Sequence, residues 1–194
     1  MAARSVDPFV PKEVRTYDGQ IVDTSGERWT MRTAADGSGT LTLQWPVLTA
    51  AGPLTVSARE CVKTYLADKL TKKKASTVAN DFSMFLRFTK WLGRQRYRTF
   101  GWDRVTEGIA RGFLAAGLQT ADKGNDFSRL RTFYRWGVAR EVTGFDPAIL
   151  NTLETVTAVG NAKGHSVRFR DVFRGPFSPD NIQGRSILTS DITS

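Results

Sequence analysis

Two aspartates one helical turn apart have the residue type and the spacing of a catalytic carboxylate pair. Asp122 and Asp126 are four positions apart, so on a helix their carboxylates would share a face and could act as an acid/base pair. Lys123 and Arg129 are close in sequence, and the helix dipole favours acidic side chains in a first turn. We interpret the aspartates as marking a helix N-terminus rather than a catalytic site.

The residues that most often hold metals or act as nucleophiles are scarce. The chain has one cysteine, Cys61, and one histidine, His165, and it contains neither a Gly-x-x-x-x-Gly-Lys phosphate loop nor a Cys/His cluster. Cys61 falls in an apolar helical pattern where a small buried residue is expected. We therefore expect no metal and no cofactor, and we assign Cys61 to the core.

The positive charge of the chain is concentrated in its middle. The net charge is −1 for residues 1–56, +9 for residues 57–148 and +1 for residues 149–194. Such a concentration is typical of a surface that binds a polyanion, because each Lys or Arg at a phosphate releases condensed counterions. A basic surface that serves only solubility would carry the same charge, so charge alone leaves both interpretations open.

The elements before this basic region are predicted to be short strands. Partial alternation of apolar residues marks Gln20–Val22, Arg28–Arg32 and Leu41–Trp45, with turn-forming residues between them. A small β-meander with so few large apolar residues would have to pack on the helices or on a partner. Trp45-Pro46 and Gly52-Pro53 are then expected to mark the boundary of this segment.

From Ser57 the apolar residues recur every three to four positions, which predicts helices. A first helix spans residues 57–70. A second begins at an N-cap, Ser76, and ends at Gly93; a third begins at Thr106 and ends at Gly117. A fourth covers about residues 122–141, and four amphipathic helices with short links predict a bundle. Trp91, Trp102 and Trp136 are interpreted as core or inter-helix residues, and the tail beyond Pro147 shows only weak periodicity.

The order of these helices resembles the core-binding domain of tyrosine recombinases and phage-type integrases. Residues Ala75–Leu92 look like the second helix of that domain, and Val105–Ala116 is similar to the third. Residues Asn125–Glu141, followed by Phe145-Asp-Pro-Ala148, resemble the fourth helix and its exit turn. The resemblance covers residues 57–148. Gly175–Pro179 also resembles the segment through which such proteins enter their catalytic domain.

The resemblance implies a fold and a partner. The expected fold is mainly α, a four-helix core-binding (SAM-like) bundle preceded by a small β-rich N-terminal segment. In the family the second and fourth helices face duplex DNA, and here both carry polar and cationic residues three or four positions apart, suited to phosphate and base-edge contacts. The candidate DNA-binding residues are Lys72, Lys73, Lys74, Asn80, Ser83, Arg87, Lys90, Arg94, Ser128, Arg129, Arg131, Thr132 and Arg135.

The catalytic residues of the family are not expected in this chain. Members cleave DNA with a tyrosine, helped by arginines, a lysine and a histidine or tryptophan. His165-Ser-Val-Arg168 has the His-x-x-Arg spacing, but it lies in a linker and no tyrosine follows it. The last tyrosine, Tyr134, falls within the fourth helix, where a core position is expected. We interpret the His-x-x-Arg match as accidental and the chain as not an enzyme.

The sequence thus predicts three regions. They are a β-rich segment at 1–54, the helical DNA-binding domain at 55–148, and a linker with the start of a truncated catalytic region at 149–194. The expected function is duplex DNA binding within a truncated or split site-specific recombinase. The alternative is a protein-interaction module that assembles with a full-length recombinase or a catalytic-domain chain. No apolar run reaches the roughly 18 residues of a membrane span, so we expect a cytoplasmic protein.

Overall fold

The N-terminal segment forms two separate β-hairpins. The computed structural model describes residues 6–33, 39–118 and 125–160. Strands β1 (Glu13–Arg15) and β2 (Ile21–Asp23) pair antiparallel, as do β3 (Arg28–Arg32) and β4 (Thr40–Gln44). β2 and β3 are neighbours without ladder hydrogen bonds, so the expected three-stranded meander is wrong. β1 was not predicted, because a three-residue strand with one buried side chain is too short to show an alternating apolar pattern.

A short helix occupies the predicted boundary after β4. Helix α1 (Trp45–Ala50) buries Trp45 and Leu48 and carries Pro46 in its first turn, where no intrahelical N–H bond is lost. Trp-Pro therefore begins a helix here instead of interrupting the chain. The Trp45 ring contacts Trp29 of β3 and Phe82 at centroid distances of 4.8 and 5.2 Å. As predicted, the hairpins pack on the helices.

The rest of the described chain is helical, which confirms a mainly helical protein with short antiparallel strands at its N-terminus. Thr55 and Thr106 cap helices by accepting bonds from Ala58 N and Ile109 N. The expected cap Ser76 is wrong, because the N-cap of its helix is Lys74, two residues earlier, and Ser76 lies within the first turn. The helices are α2 (Val56–Leu70), α3 (Ala75–Arg94), α4 (Glu107–Leu118), α5 (Asn125–Ala139) and α6 (Pro147–Gly160), with a 3₁₀ turn at Trp102–Arg104.

Aromatic rings fill the space between these helices. Trp102 is 2% exposed, and its ring contacts Phe85 of α3 and Phe133 of α5 at centroid distances of 6.0 and 4.7 Å. Its indole N–H donates to the carbonyl of Ala58 in α2 at 2.8 Å, so its polar atom is satisfied inside the core. Tyr134 and Cys61 are buried in the same core, as predicted.

Helices α3 and α5 are each followed, two residues after their last helical residue, by a charged residue in the left-handed backbone conformation. After α3, Arg96 has φ 62°, its N–H bonds to Gly93 O and the N–H of Tyr97 bonds to Leu92 O. After α5, Glu141 has φ 54° with the equivalent bonds. This is the Schellman ending, in which glycine usually takes the left-handed position. The sequence predicted that Gly93 ends α3, but Gly93 lies within the helix and Arg96 provides the ending.

Replacing Arg96 with glycine is therefore expected to stabilise the protein. A non-glycine residue loses free energy in the left-handed region, and removing that strain outweighs the extra freedom of glycine in the unfolded chain by about 1 kcal/mol. Urea unfolding followed by circular dichroism measures the gain. Gln95→Gly is the matched control, because Gln95 has φ −78° and no strain to relieve. Equal changes in both variants would contradict the interpretation.

The chain before β1 is attached to the end of α5. Val6 N donates to Glu141 O at 2.8 Å, and Thr143 N donates to Val6 O at 3.0 Å, which makes a parallel bridge between Val6 and Val142. Hairpins and helices accordingly belong to one compact unit that extends to Val156. Within the described ranges, no helix combines the length and apolarity needed to cross a membrane.

Candidate nucleic-acid interface

Helix α3 carries the first row of predicted DNA-binding residues along its length. Arg87, Lys90 and Arg94 are exposed, as is Asn80, while Ser83 is half-buried. The opposite face of α3 is mostly apolar, with Val78, Phe85 and other residues in the core, so the polar row is held toward the solvent. The structure thus gives α3 the two-faced character that the sequence predicted.

Helix α5 carries the second row and packs directly against α3. Ser128, Thr132 and Arg135 are exposed, whereas Arg129 and Arg131 are half-buried. The Thr132 hydroxyl already donates to the Ser128 carbonyl at 2.9 Å, so in this arrangement it presents a ligand with an acceptor. Adjacent helices therefore carry the two rows.

An ion pair between α3 and α5 involves the central cation of the first row. Arg87 donates from Nε to Asp126 Oδ2 at 2.5 Å and from a terminal nitrogen to Oδ1 at 2.7 Å, a two-pronged contact. Arg129 approaches the same carboxylate at 3.3 Å. Asp126 lies in the first turn of α5, as the sequence predicted, but it is buried and also joins two helices.

A second buried carboxylate, Asp81, lies at the same junction and was missed by the sequence analysis. It is 1% exposed, pairs with Lys69 of α2 and accepts from the Tyr65 hydroxyl at 2.9 Å. Arg129 Nε lies 3.5 Å from its other oxygen. Burial and then the Asp81 carboxylate raise the pKa of the Tyr65 phenol, which stays protonated and donates. An aspartate among the apolar positions of α3 was the available signal.

The outer cations of the second row pair with helix α6. Arg135 contacts Glu154 Oε1 at 2.5 Å, and Arg131 lies 3.5 Å from Oε2 of the same residue. Glu154 therefore offsets part of the charge that α5 would present to a phosphate. The sequence could not foresee this, because α6 lay beyond the predicted domain.

Of the three lysines between α2 and α3, one pairs with a carboxylate and two do not, among the described residues. Lys72 pairs with Asp68 of α2 at 3.0 Å, and Asp68 also accepts from the Trp136 indole N–H and from Arg140. Lys73 and Lys74 are exposed and form no ion pair within the described ranges, and the same is true of Lys90 and Arg94. We call these four cations available, because they are exposed and are not engaged by a carboxylate among the described residues.

Two further arginines extend this group and were not predicted. Arg96 and Arg98 follow Arg94 in the turn after α3, are exposed, and have no carboxylate partner in the part of the chain that the structure describes. The alternation Arg94-x-Arg96-x-Arg98 was the available signal. The C-terminal end of α3 and the turn after it therefore carry more available cations than the N-terminal end does.

Other candidate chemical groups are inaccessible or lie outside the description. Burial raises the pKa of the Cys61 thiol to about 12, so it remains protonated. Burial and then Asp103 raise the pKa of the Tyr134 phenol. Across residues 6–33, 39–118 and 125–160, no three His, Cys, Asp or Glu side chains are placed to hold a metal ion. Asp122, Lys123, His165–Arg168 and Gly175–Pro179 lie outside the described residues.

The described part of the site is therefore a charged surface formed by two neighbouring helices. Helices α3 and α5 bring the two predicted rows together, internal carboxylates pair with Arg87, Arg129, Arg131 and Arg135, and cations at both ends of α3 stay available. Comparisons of the chain with protein-family models, with curated proteins and with solved structures find no match.

Proposed function

We propose that this chain binds duplex DNA through α3 and α5, as the core-binding part of a site-specific tyrosine recombinase whose strand cleavage is carried out by another domain or chain. The observation that carries the proposal is the placement of available cations at both ends of α3. Lys73 and Lys74 precede its first residue, and Lys90 and Arg94 lie in its last turns. The SAM-like form of the helical bundle is part of the same proposal.

The dimensions of α3 support this ligand. The helix has 20 residues and is therefore about 30 Å long, close to the roughly 34 Å of one turn of B-DNA. A helix of this length along a groove places its two ends near separate stretches of backbone. Asn80 and Ser83 lie between the ends and supply groups that can contact base edges.

The ion pairs within the bundle divide the predicted residues into two classes. Arg87 and Arg129 hold α5 against α3, so their main contribution is to position the surface. Arg131 and Arg135 would contact phosphate only in competition with Glu154. The electrostatic part of the affinity is therefore assigned chiefly to Lys73, Lys74, Lys90 and Arg94.

The test is the salt dependence of binding to a fluorescent 20-bp duplex. Replacing Lys90 and Arg94 together with glutamine should make the slope of log K against log salt less negative by about 1.8, since each lost phosphate contact accounts for about 0.9. Affinity at 0.1 M salt should fall at least about tenfold. Fluorescence anisotropy measures both.

The matched control removes two exposed cations from the first hairpin. Lys12→Gln with Arg15→Gln changes the net charge equally, at exposed positions on the first hairpin and not on α3 or α5. It should leave the slope unchanged. Equal effects of the two double variants would reduce the proposal to non-specific charge, and a wild-type chain that binds no duplex at low salt would refute it.

A further inference from the structure

A groove between α3, α4 and the start of α5 lies beside the available cations of α3. It is open to solvent and has a volume of about 250 Å³. Its walls combine an apolar floor with a cationic rim that is shared with the duplex-binding row of α3. The lining residues are Arg87, Lys90, Trp91, Arg94, Phe113, Ala116, Gly117 and Asp126.

The floor of the groove is a fixed aromatic surface. Trp91 is half-buried, its ring stacks near Phe88 with 23° between the planes, and it lies 5.7 Å from the Phe113 centroid. Gly112 of α4 allows this position, because a Cβ there would lie 2.9 Å from Trp91 Cζ2. Trp91 is thus the inter-helix residue that the sequence predicted, and its remaining exposed surface lines the groove.

The rim of the groove carries net positive charge. Arg87 and Asp126 are both at the groove, but they bind each other through two contacts and largely cancel. Lys90 and Arg94 have no carboxylate partner among the described residues, and they lie four positions apart on one face of α3. A ligand at this site must therefore offer an apolar or flat group with negative charge beside it.

We propose that the groove binds an unpaired nucleotide of single-stranded DNA, with the base against Trp91 and the adjoining phosphates at Lys90 and Arg94. Sites of this kind pair an aromatic platform with a cationic track, and stacking on the platform contributes about 1 to 3 kcal/mol per base. The inference rests on the proposed function, since the rim belongs to the α3 row assigned to duplex DNA. It adds a second DNA form, whose base would occupy the groove while its phosphates share Lys90 and Arg94 with the duplex-binding row.

A nucleic acid fits the rim better than an acidic peptide does. The available charge continues past the groove through Arg96 and Arg98, and the excess of +9 is confined to residues 57–148. A peptide with one apolar side chain and a carboxylate would use two of these cations. A polyanion can use the whole series, because it carries a charge at every nucleotide.

The test measures binding of the full chain to fluorescent single-stranded dT20 and to a 20-bp duplex by anisotropy. Ala116→Phe fills the groove and removes no buried contact, so it should weaken dT20 binding about tenfold and leave duplex binding within about twofold. Trp91→Leu should weaken dT20 binding similarly. Trp91→Phe restores a flat ring and should recover most of the affinity. Circular dichroism confirms that each variant is folded.

The outcomes separate this inference from the proposed function. Duplex binding without dT20 binding, or dT20 binding unaffected by both Ala116→Phe and Trp91→Leu, overturns the groove assignment and leaves the duplex proposal intact. Groove-dependent dT20 binding without duplex binding supports the groove and overturns the duplex proposal. Displacement of dT20 by an equal concentration of the peptide Asp-Glu-Phe-Glu-Asp overturns the nucleotide assignment in favour of a protein ligand.

Discussion

Replacing Asp81 with alanine is expected to lower the free energy of unfolding by about 3 to 5 kcal/mol, because it leaves a buried ion-pair network without its anion. Asp81 is 1% exposed and is bonded to Lys69, Tyr65 and Arg129 from two other helices. The Lys69 side chain is only 16% exposed, and without Asp81 its ammonium group keeps the Tyr65 hydroxyl as a neighbour, so its charge is poorly compensated. Urea unfolding monitored by circular dichroism measures the loss.

The control for Asp81 is an acidic residue in a surface ion pair. Glu107→Gln breaks the ion pair with Arg111, in which both side chains are about half exposed. It should change the free energy of unfolding by less than about 0.5 kcal/mol. A loss for Asp81→Ala no larger than that of Glu107→Gln would show that the network does not join α2, α3 and α5 energetically. A large loss would establish Asp81 as a structural residue of the bundle.

Replacing Arg87 with alanine is expected to destabilise the fold by about 2 kcal/mol, because Asp126 then keeps, among the described residues, only the ion pair with Arg129. Lys90→Ala provides a close comparison. Lys90 lies one turn further along α3, is exposed, and has no ion pair among the described residues, so its removal should change stability by less than about 0.5 kcal/mol. Thermal and urea unfolding of both variants make the measurement.

This contrast decides how a DNA-binding experiment on α3 is interpreted. A weakened affinity in Arg87→Ala would combine a lost contact with a shift of α5 relative to α3. A weakened affinity in Lys90→Ala reports a contact alone. Arg87→Lys refines the comparison, since lysine keeps the charge and loses the two-pronged geometry. Equal stability of all three variants would contradict the structural role of the Arg87–Asp126 pair.

Periodic parts of the fold could be predicted from the sequence, and non-periodic parts could not. α2 to α5 bury regular apolar stripes, and each was placed within a few residues of its observed bounds. α1 and β1 were missed because six and three residues carry too little pattern, and because Trp45-Pro46 has the composition of a break. The ending of α3 at Arg96 was missed because an arginine in the left-handed region gives no compositional signal.

The candidate site was predicted in the same partial way. Spacing alone identifies which cations share a helix face, and the structure places the two predicted rows on neighbouring helices. Spacing does not reveal that Arg87 meets a carboxylate 39 positions away, or that Arg135 meets Glu154 on another helix. Those pairs depend on how the helices pack. They determine which of the predicted cations remain available to a ligand.

The bridge between Val6 and Val142 closes the backbone from the first described residue to the end of α5 into a ring. The two residues are far apart in sequence, so this contact carries a large loop-closure entropy and is expected to form late in folding. Once formed, it brings two distant points of the chain within hydrogen-bonding distance. The chain before β1 and the segment between α5 and α6 therefore hold each other in place. Proteolytic cleavage next to Val6 is expected to release both segments, so the order of the backbone around Val142 depends on residues near the start of this unit.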